Sequence, residues 1–329
     1  MSSPDRVRKA IGDLLAPSAW AQNRTIAVLL PCYNEAAAIA GVVAAFQRAL
    51  PSAQIYVYDN NSTDETREAA ARAGAIVRCE SHQGKGNVVR RMLADIEADI
   101  YVLADGDATY DAAAAGRLID SLITQNLDMV VGTRKGDGEA YPRGHQFGNR
   151  FFNLVVTHLF GTGFTDILSG YRVLSRRFAK SFPVTSSGFE IETELSVHAL
   201  DLKIAVAEIP LRYHARPAGS HSKLRTYRDG WRILVTTLKL YKELQPFRFF
   251  GAIGTALIVS AIGLAIPLLE TYVETGLVPR LPTAILATGI IQLGFLSLAC
   301  GLVMEAIARA RREAKRMRFL DLSSVAHRS

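Results

Sequence analysis

Cysteine is scarce in this chain. The three present, Cys32, Cys79 and Cys300, are odd in number and widely scattered, so they form neither a disulfide framework nor a zinc-binding spacing. A reducing setting for the water-exposed part follows. His82, His145, His158, His198, His214 and His221 show no paired ligand spacing either, and packing or surface roles suit them. Residues 1–23 carry charges but lack an apolar core of signal-peptide length. The net charge is +7, yet no basic stripe runs through the N-terminal half, which argues against nucleic acid as a partner. No Gly-x-Gly-x-x-Gly follows the first apolar run, which disfavours a dinucleotide redox enzyme. Gly84-Lys85-Gly86-Asn87 lacks the spacing of a P-loop and the Ser or Thr after its lysine. No internal repeat is visible.

What is present begins with alternating strand-like and helix-like segments. Strands are expected over 25–30, 54–58, 75–79, 100–104 and 128–132, and helices over 35–50, 64–73, 87–98 and 111–125. Such β-α-β alternation predicts a mostly parallel sheet covered by helices. Ligands then bind at the carboxyl ends of the strands, where the polar clusters fall: Tyr33-Asn34-Glu35, Asp59-Asn60-Asn61, Asp105-Gly106-Asp107 and Thr133-Arg134. The stretch from Gly136 to Ser187 is less regular, with an amphipathic helix expected over 146–160. A helix over 189–202 and one or two strands over 204–213 follow.

The last third is different. Residues 227–242 are basic and amphipathic, with Trp231 and Tyr241 among apolar residues, a pattern suited to a helix lying at a membrane surface. Phe249–Leu269 and Thr283–Met304 are charge-free and each long enough to cross a bilayer, which takes roughly 20 residues. The connection from Glu270 to Pro282 carries one basic residue, Arg280, whereas Arg309, Arg311, Arg312, Lys315, Arg316 and Arg318 follow the second run. The positive-inside rule puts both ends of this hairpin in the cytoplasm. The expected divisions are a lead-in (1–24), an α/β domain (25–225), an interfacial helix (226–247), a transmembrane hairpin (248–308) and a basic cytoplasmic tail (309–329). That arrangement is a multi-pass protein of the inner membrane.

Asp105 and Asp107 end an apolar run. Paired carboxylates are hard oxygen ligands suited to Mg2+ or Mn2+, and a metal there could hold a diphosphate as a leaving group. Asp59 ends the second strand, where a carboxylate can accept hydrogen bonds from a base or ribose hydroxyl. Pro31 is expected to terminate pairing of the first strand, and Tyr33 can stack on a base. Lys85, between two glycines that allow close approach, could reach a phosphate. Glu190, Glu192 and Glu194 read largely as helix-surface carboxylates, with Glu190 a candidate for shaping a sugar pocket.

Taken in order, Pro31-x-Tyr33-Asn34-Glu35, Asp59-Asn60-Asn61-Ser62-Thr63-Asp64, Gly84-Lys85-Gly86, Asp105-x-Asp107 and Gly132-Thr133-Arg134 resemble the family 2 glycosyltransferases. Asp166-Ile167-Leu168-Ser169-Gly170-Tyr171-Arg172 and the tract from Arg216 to Lys223 narrow the resemblance to the polyprenyl-phosphate glycosyltransferases, the group of dolichol-phosphate mannose synthase. It covers roughly residues 25–245. It implies a GT-A-type α/β domain, a nucleotide-sugar donor, a polyprenyl-phosphate acceptor and Mg2+ or Mn2+. Pro31, Tyr33, Glu35, Asp59, Lys85, Asp105, Gly106 and Thr109 would bind the donor. Asp105 and Asp107 would hold metal, and Asp107, Arg134 and Arg216 would serve the reaction centre. Arg143, Arg150 and Lys223 would meet the lipid phosphate. The tract ending at Lys223 has one residue more than the commonest form. The resemblance further implies inverting transfer, from a UDP-linked hexose or N-acetylhexosamine, to undecaprenyl phosphate in a bacterium, and a homo-oligomer built through the membrane segments is compatible with it. GDP-mannose as donor and a silent nucleotide-sugar-binding scaffold are the alternatives. A processive polysaccharide synthase is disfavoured by the absence of Gln-x-x-Arg-Trp. A sugar-phosphate nucleotidyltransferase is disfavoured by the absence of its Gly-rich, Arg-containing first loop.

Overall fold

The structure is a computed structural model that describes residues 24–135, 156, 157, 159, 164–217 and 226–324. The chain divides into two compact units, residues 1–233 with 318–329, and residues 234–317.

The first unit is built on a seven-stranded sheet. Its strands are β1 (Ile26–Cys32), β2 (Gln54–Asp59), β3 (Ile76–Cys79), β4 (Ile100–Leu103), β5 (Met129–Lys135), β6 (Arg172–Ser175) and β7 (Val206–Arg212). They lie in the order β3-β2-β1-β4-β6-β5-β7. Only β6 runs antiparallel, between β4 and β5. The helices described around the sheet include α1 (Ala36–Ala49), α2 (Thr66–Arg72), α3 (Lys85–Asp95), α4 (Ala115–Thr124), α5 (Arg176–Ser181) and α6 (Ile191–Leu202). Val28, Leu30 and Cys32 of β1 face one side, where they join Ile39, Val43 and Phe46 of α1 and Leu118, Ile119 and Leu122 of α4. Each such fully buried side chain stabilises the fold by about 1.5–3 kcal/mol. Helix α3 covers the opposite side, against β1, β2 and α5.

Pro31 does not end its strand. Pairing with β2 continues through Pro31 opposite Tyr58 and Cys32 opposite Asp59. On the other side the register with β4 stops at Leu29 opposite Leu103, so Pro31 sits where β1 has outrun that neighbour and its missing N–H costs no ladder bond. β6 and α5 fall in the stretch expected to be irregular. Four residues are too few to show a period, and the first, Arg172, is a fully buried charge inside an otherwise apolar segment. The expected helix over 146–160 lies outside the described residues, apart from 156, 157 and 159.

Helix α6 corrects another expectation. Glu190, Glu192 and Glu194 are all buried, along with almost every residue of the helix. A helix covered on all sides has no polar face to read from periodicity, and its carboxylates are satisfied inside. Glu194 accepts from Thr185 N, Thr185 Oγ1 and Ser186 N at 2.8, 2.5 and 2.8 Å.

Helix α7 (Thr226–Leu244) precedes α8 (Pro246–Thr275) and α9 (Leu281–Leu320). Both α8 and α9 are long and apolar enough to cross a membrane. Within the second unit they pack through small residues. Apart from Pro246 at the start of α8, the buried positions are Gly254 and Ala261 of α8 and Ala287, Gly294, Gly301 and Ala308 of α9. Each set repeats every seven residues, the period of a helix–helix seam. A Cβ on Gly294 would come within 2.7 Å of Ile258 Cγ1, so the backbones approach where side chains are absent. Large apolar residues such as Val259, Leu269, Phe295 and Leu302 face outward.

Candidate active site

The carboxyl ends of β1, β2, β4 and β5 bring together the polar clusters. At the β1 and β2 ends, two loops are latched. Asn34, in the left-handed region at φ +53°, accepts from Thr63 N at 2.8 Å, and its own N–H donates to Ser62 Oγ at 2.9 Å. Asp64 accepts from Ala36 N and Thr66 N, both at 3.1 Å, and so serves the first turns of α1 and α2 together. Burial would raise its carboxyl, but the bonds from Thr66 and Ala36 outweigh burial and hold it below the ordinary value. Tyr33 is exposed beside this latch and Glu35 is buried.

Asp59 is buried within it. Its Oδ2 accepts from Ser62 N at 3.1 Å and pairs with Arg67 Nε at 3.0 Å. Its Oδ1 is buried with no hydrogen-bond partner among the described residues. A buried acceptor left unmatched costs about 1–3 kcal/mol, which an N–H or O–H of a ligand would recover.

The turn after β4 is tightly made. A Cβ on Gly106 would collide with Cys32 Sγ, so only glycine fits between the two aspartates. Ala108 follows at φ +61°, a strained conformation for a residue with a side chain. Burial, then the surrounding carboxylates of Glu35, Asp59, Asp105 and Asp107, push the Cys32 thiol well up. It is filler, not a nucleophile.

Both aspartates carry a basic partner. Asp107 Oδ2 accepts from Arg216 Nε and Nη2 at 2.9 and 2.7 Å. Its Oδ1 accepts from Thr109 N at 3.1 Å and Thr109 Oγ1 at 2.6 Å. Thr109 is therefore buried behind Asp107 and orients it. Arg216 arrives because the chain after β7 pairs with the chain after Asp107: Tyr110 bridges Tyr213, and His214 N donates to Thr109 O at 2.9 Å. Burial pulls the Arg216 pKa down, but Asp107 outweighs it and the net direction is up.

Asp105 Oδ1 pairs with Lys85 Nζ, which also reaches Glu192 Oε1 at 2.5 Å. Burial would lower the Lys85 ammonium, but the two carboxylates outweigh it and hold the group well above its ordinary value. Burial raises Glu192, with Lys85 opposing and Asp105 adding to the rise. Nothing in the sequence pattern singled out Glu192, because its signal is the contact with Lys85 across 107 residues. The glycines around Lys85 serve a different approach from the one expected. A Cβ on Gly84 or Gly86 would collide with the carbonyl of Ser187 or Ser186, and Ser187 O already accepts from Gly86 N at 3.1 Å. The first turn of α3 is thus fastened to the chain entering α6.

Arg134 binds Asp166 through Nε at 2.8 Å and Nη2 at 2.6 Å, a two-pronged pair. The tract that follows is fixed in place. Ser169 Oγ donates to Gly132 O at 2.5 Å, and Gly170 N to Tyr110 Oη at 2.9 Å. The buried Arg172 guanidinium donates to Ile167 O, Ser169 O, Glu192 O and Ser196 Oγ at 2.8–3.0 Å. Arg143, Arg150 and Lys223 lie outside the described residues.

The donor set fits a divalent ion that takes most of its ligands from elsewhere. Asp105 Oδ2 receives no hydrogen bond among the described residues, and Gly170 keeps the space beside it: a Cβ there would lie 2.7 Å from that oxygen. Among the described residues no three metal-binding side chains converge, so phosphate and water would complete the shell, as Mg2+ prefers.

The sequence profile of glycosyl transferase family 2 matches residues 27–182, a span that holds the aspartates and all the strands of the sheet but β7. A relative, the glycosyltransferase AglJ of Haloferax volcanii, is 35% identical over 88% of this chain and 95% of its own length. This chain belongs to glycosyl transferase family 2. A dolichyl-phosphate hexose transferase of Haloferax volcanii is 28% identical over 66% of this chain and 94% of its own length. Among solved structures, glucosyl-3-phosphoglycerate synthase from Mycobacterium tuberculosis in complex with Mg2+ and uridine diphosphate superposes with a TM-score of 0.57. It is 25% identical and covers 70% of this chain and 83% of that one. The neighbour is of the GT-A type, which agrees with the sheet and its helical layers.

Proposed function

We propose that this family 2 glycosyltransferase moves a sugar from a nucleotide-sugar to a polyprenyl phosphate, with inversion, at the cytoplasmic face of a membrane. The observation that carries the reading is the pairing at the end of β4: two carboxylates, Asp105 and Asp107, each with a basic partner, Lys85 and Arg216. Such a site balances a diphosphate leaving group against an anionic acceptor. The dolichyl-phosphate hexose transferase relative supports the lipid acceptor. The two apolar helices support a membrane setting, and the basic residues after the second one support cytoplasmic ends. The uridine diphosphate neighbour favours a UDP-linked hexose or N-acetylhexosamine over GDP-mannose.

The chain's residues divide the work. Asp59 Oδ1 accepts a hydrogen bond from the base or ribose, and Tyr33 stacks on the base. Asp105 and Asp107 would hold Mg2+ or Mn2+, which when bound neutralises the departing diphosphate. Lys85 adds positive charge beside that diphosphate. Arg216 compensates the charge of the incoming phosphate through its Nη1, which receives no partner among the described residues, while Asp107 keeps it aimed. Arg134, steadied by Asp166, adds a second cation. A phosphate monoester is already ionised near pH 7, with a second pKa of about 6, so no strong base is required. One phosphate oxygen forms the bond to the anomeric carbon as the bond from that carbon to the diphosphate oxygen breaks. Arg143, Arg150 and Lys223 are proposed to meet the lipid phosphate.

The test incubates the purified chain in detergent with Mn2+ or Mg2+, undecaprenyl phosphate and a panel of UDP- and GDP-sugars, following nucleoside diphosphate release. Acceptor-dependent release with one donor, abolished in Asp107→Asn, is expected. Release from no donor by folded protein would move the weight to a silent scaffold.

A further inference from the structure

Lys85 has two carboxylate partners, and they differ in kind. Asp105 is the more accessible, its side chain 29% exposed against 7% for Glu192. Asp105 also has a second function in the reading above, as a ligand for the donor's cation. A cation arriving there must compete with the Lys85 ammonium for the same carboxylate. An ammonium left buried without a counter-charge would be costly.

The Lys85–Glu192 contact is held by connections that do not involve Asp105. Gly86 N donates to Ser187 O at 3.1 Å, fastening the helix of Lys85 to the chain that enters α6. Glu194 grips Thr185 and Ser186 just before it. The Arg172 guanidinium bonds the Glu192 carbonyl and Ser196 Oγ, both at 2.9 Å. With Asp105 withdrawn, Lys85 and Glu192 remain on two helices joined to each other.

We infer that Glu192 is a positioning residue that retains Lys85 when Asp105 turns to the donor's cation, so that the lysine stays placed beside the diphosphate. The inference rests on the donor-site reading proposed above. The three groups carry a net charge of −1 as they stand. Replacing Glu192 by the isosteric glutamine leaves Lys85 with Asp105 as its one charged partner, ties that carboxylate more firmly, and makes the site less negative. Two effects of opposite sign follow. Metal-free UDP should bind as tightly as before or more tightly. The gain in UDP affinity on adding Mn2+ should fall about 10-fold or more, the scale on which partners of a metal ligand act.

The experiment titrates UDP into the full chain in detergent, with EDTA and then with saturating Mn2+, for the wild type and Glu192→Gln. A reduced Mn2+ gain with metal-free affinity held is the expected result. An unchanged Mn2+ gain, or a parallel loss of both affinities, overturns the inference while leaving the donor site standing. A wild type whose UDP affinity does not respond to Mn2+ overturns the donor-site reading itself, and the inference with it. Should Glu192→Gln not fold, Glu192→Asp draws the carboxylate back by one methylene. It is expected to lower the Mn2+ gain by about 3-fold, a partial form of the same effect, and no change in the folded variant overturns the inference.

Discussion

At the scale of single residues, the site is a set of carboxylates whose second partners decide what they can do. Arg216 is the sharpest case. It meets Asp107 through two N–H groups, and a lysine there cannot reproduce a fork. Losing one charge-assisted hydrogen bond costs about 1.5–3 kcal/mol. Arg216→Lys is therefore expected to lower kcat about 10–100-fold while the donor KM, assigned to Asp59 and Tyr33 in the proposal, moves little. An equal rise in donor KM would instead make Arg216 a donor-binding residue. Asp59, Asp105 and Asp107 could be named from sequence because each closes an apolar run. Glu192 could not, since neither its neighbours nor its spacing mark it. Thr109 was named through the resemblance, but no pattern announces its burial beside Asp107 or the left-handed Ala108 between them.

At the scale of elements, the strand–helix alternation was readable because buried parallel strands are continuous apolar runs. β6 escaped because it is short, runs the other way and opens on a buried arginine. Helix α6 was expected where it stands, but the burial of its carboxylates escaped reading because the helix has no solvent face. The latch at the ends of β1 and β2 carries a test of its own. Asp64 supports the first turns of two helices, and Asp64→Ala is expected to remove about 1–2 kcal/mol, a drop of several degrees in Tm by calorimetry. Because its carboxyl is held below the ordinary value of 3.8, its contribution is present above that pH. It fades as the pH falls through the lowered value. The variant should thus lose less stability than the wild type on acidification below about pH 4. Equal acid sensitivity of the two would place the latch's stability elsewhere.

At the scale of the whole molecule, a family 2 catalytic unit and a helical hairpin share one chain. The two long apolar helices were legible in the sequence because charge-free runs of that length stand apart from the rest of the chain. Their heptad seam of glycine and alanine was not singled out. Topology is open to labelling. With the three native cysteines replaced, Leu277→Cys in the connection between α8 and α9 should react with a membrane-impermeant maleimide in intact cells, and Ser323→Cys should react only after lysis. The reverse pattern would turn the proposed orientation over. The central claim is the reaction itself, and the product decides it. Purified protein would be given sugar-labelled donor, Mn2+ and undecaprenyl phosphate, and the organic-phase product examined by mass spectrometry and NMR. A lipid bearing one phosphate and a sugar of inverted anomeric configuration is the predicted result. Label that remains in water-soluble sugar, or a lipid bearing a diphosphate, would contradict it.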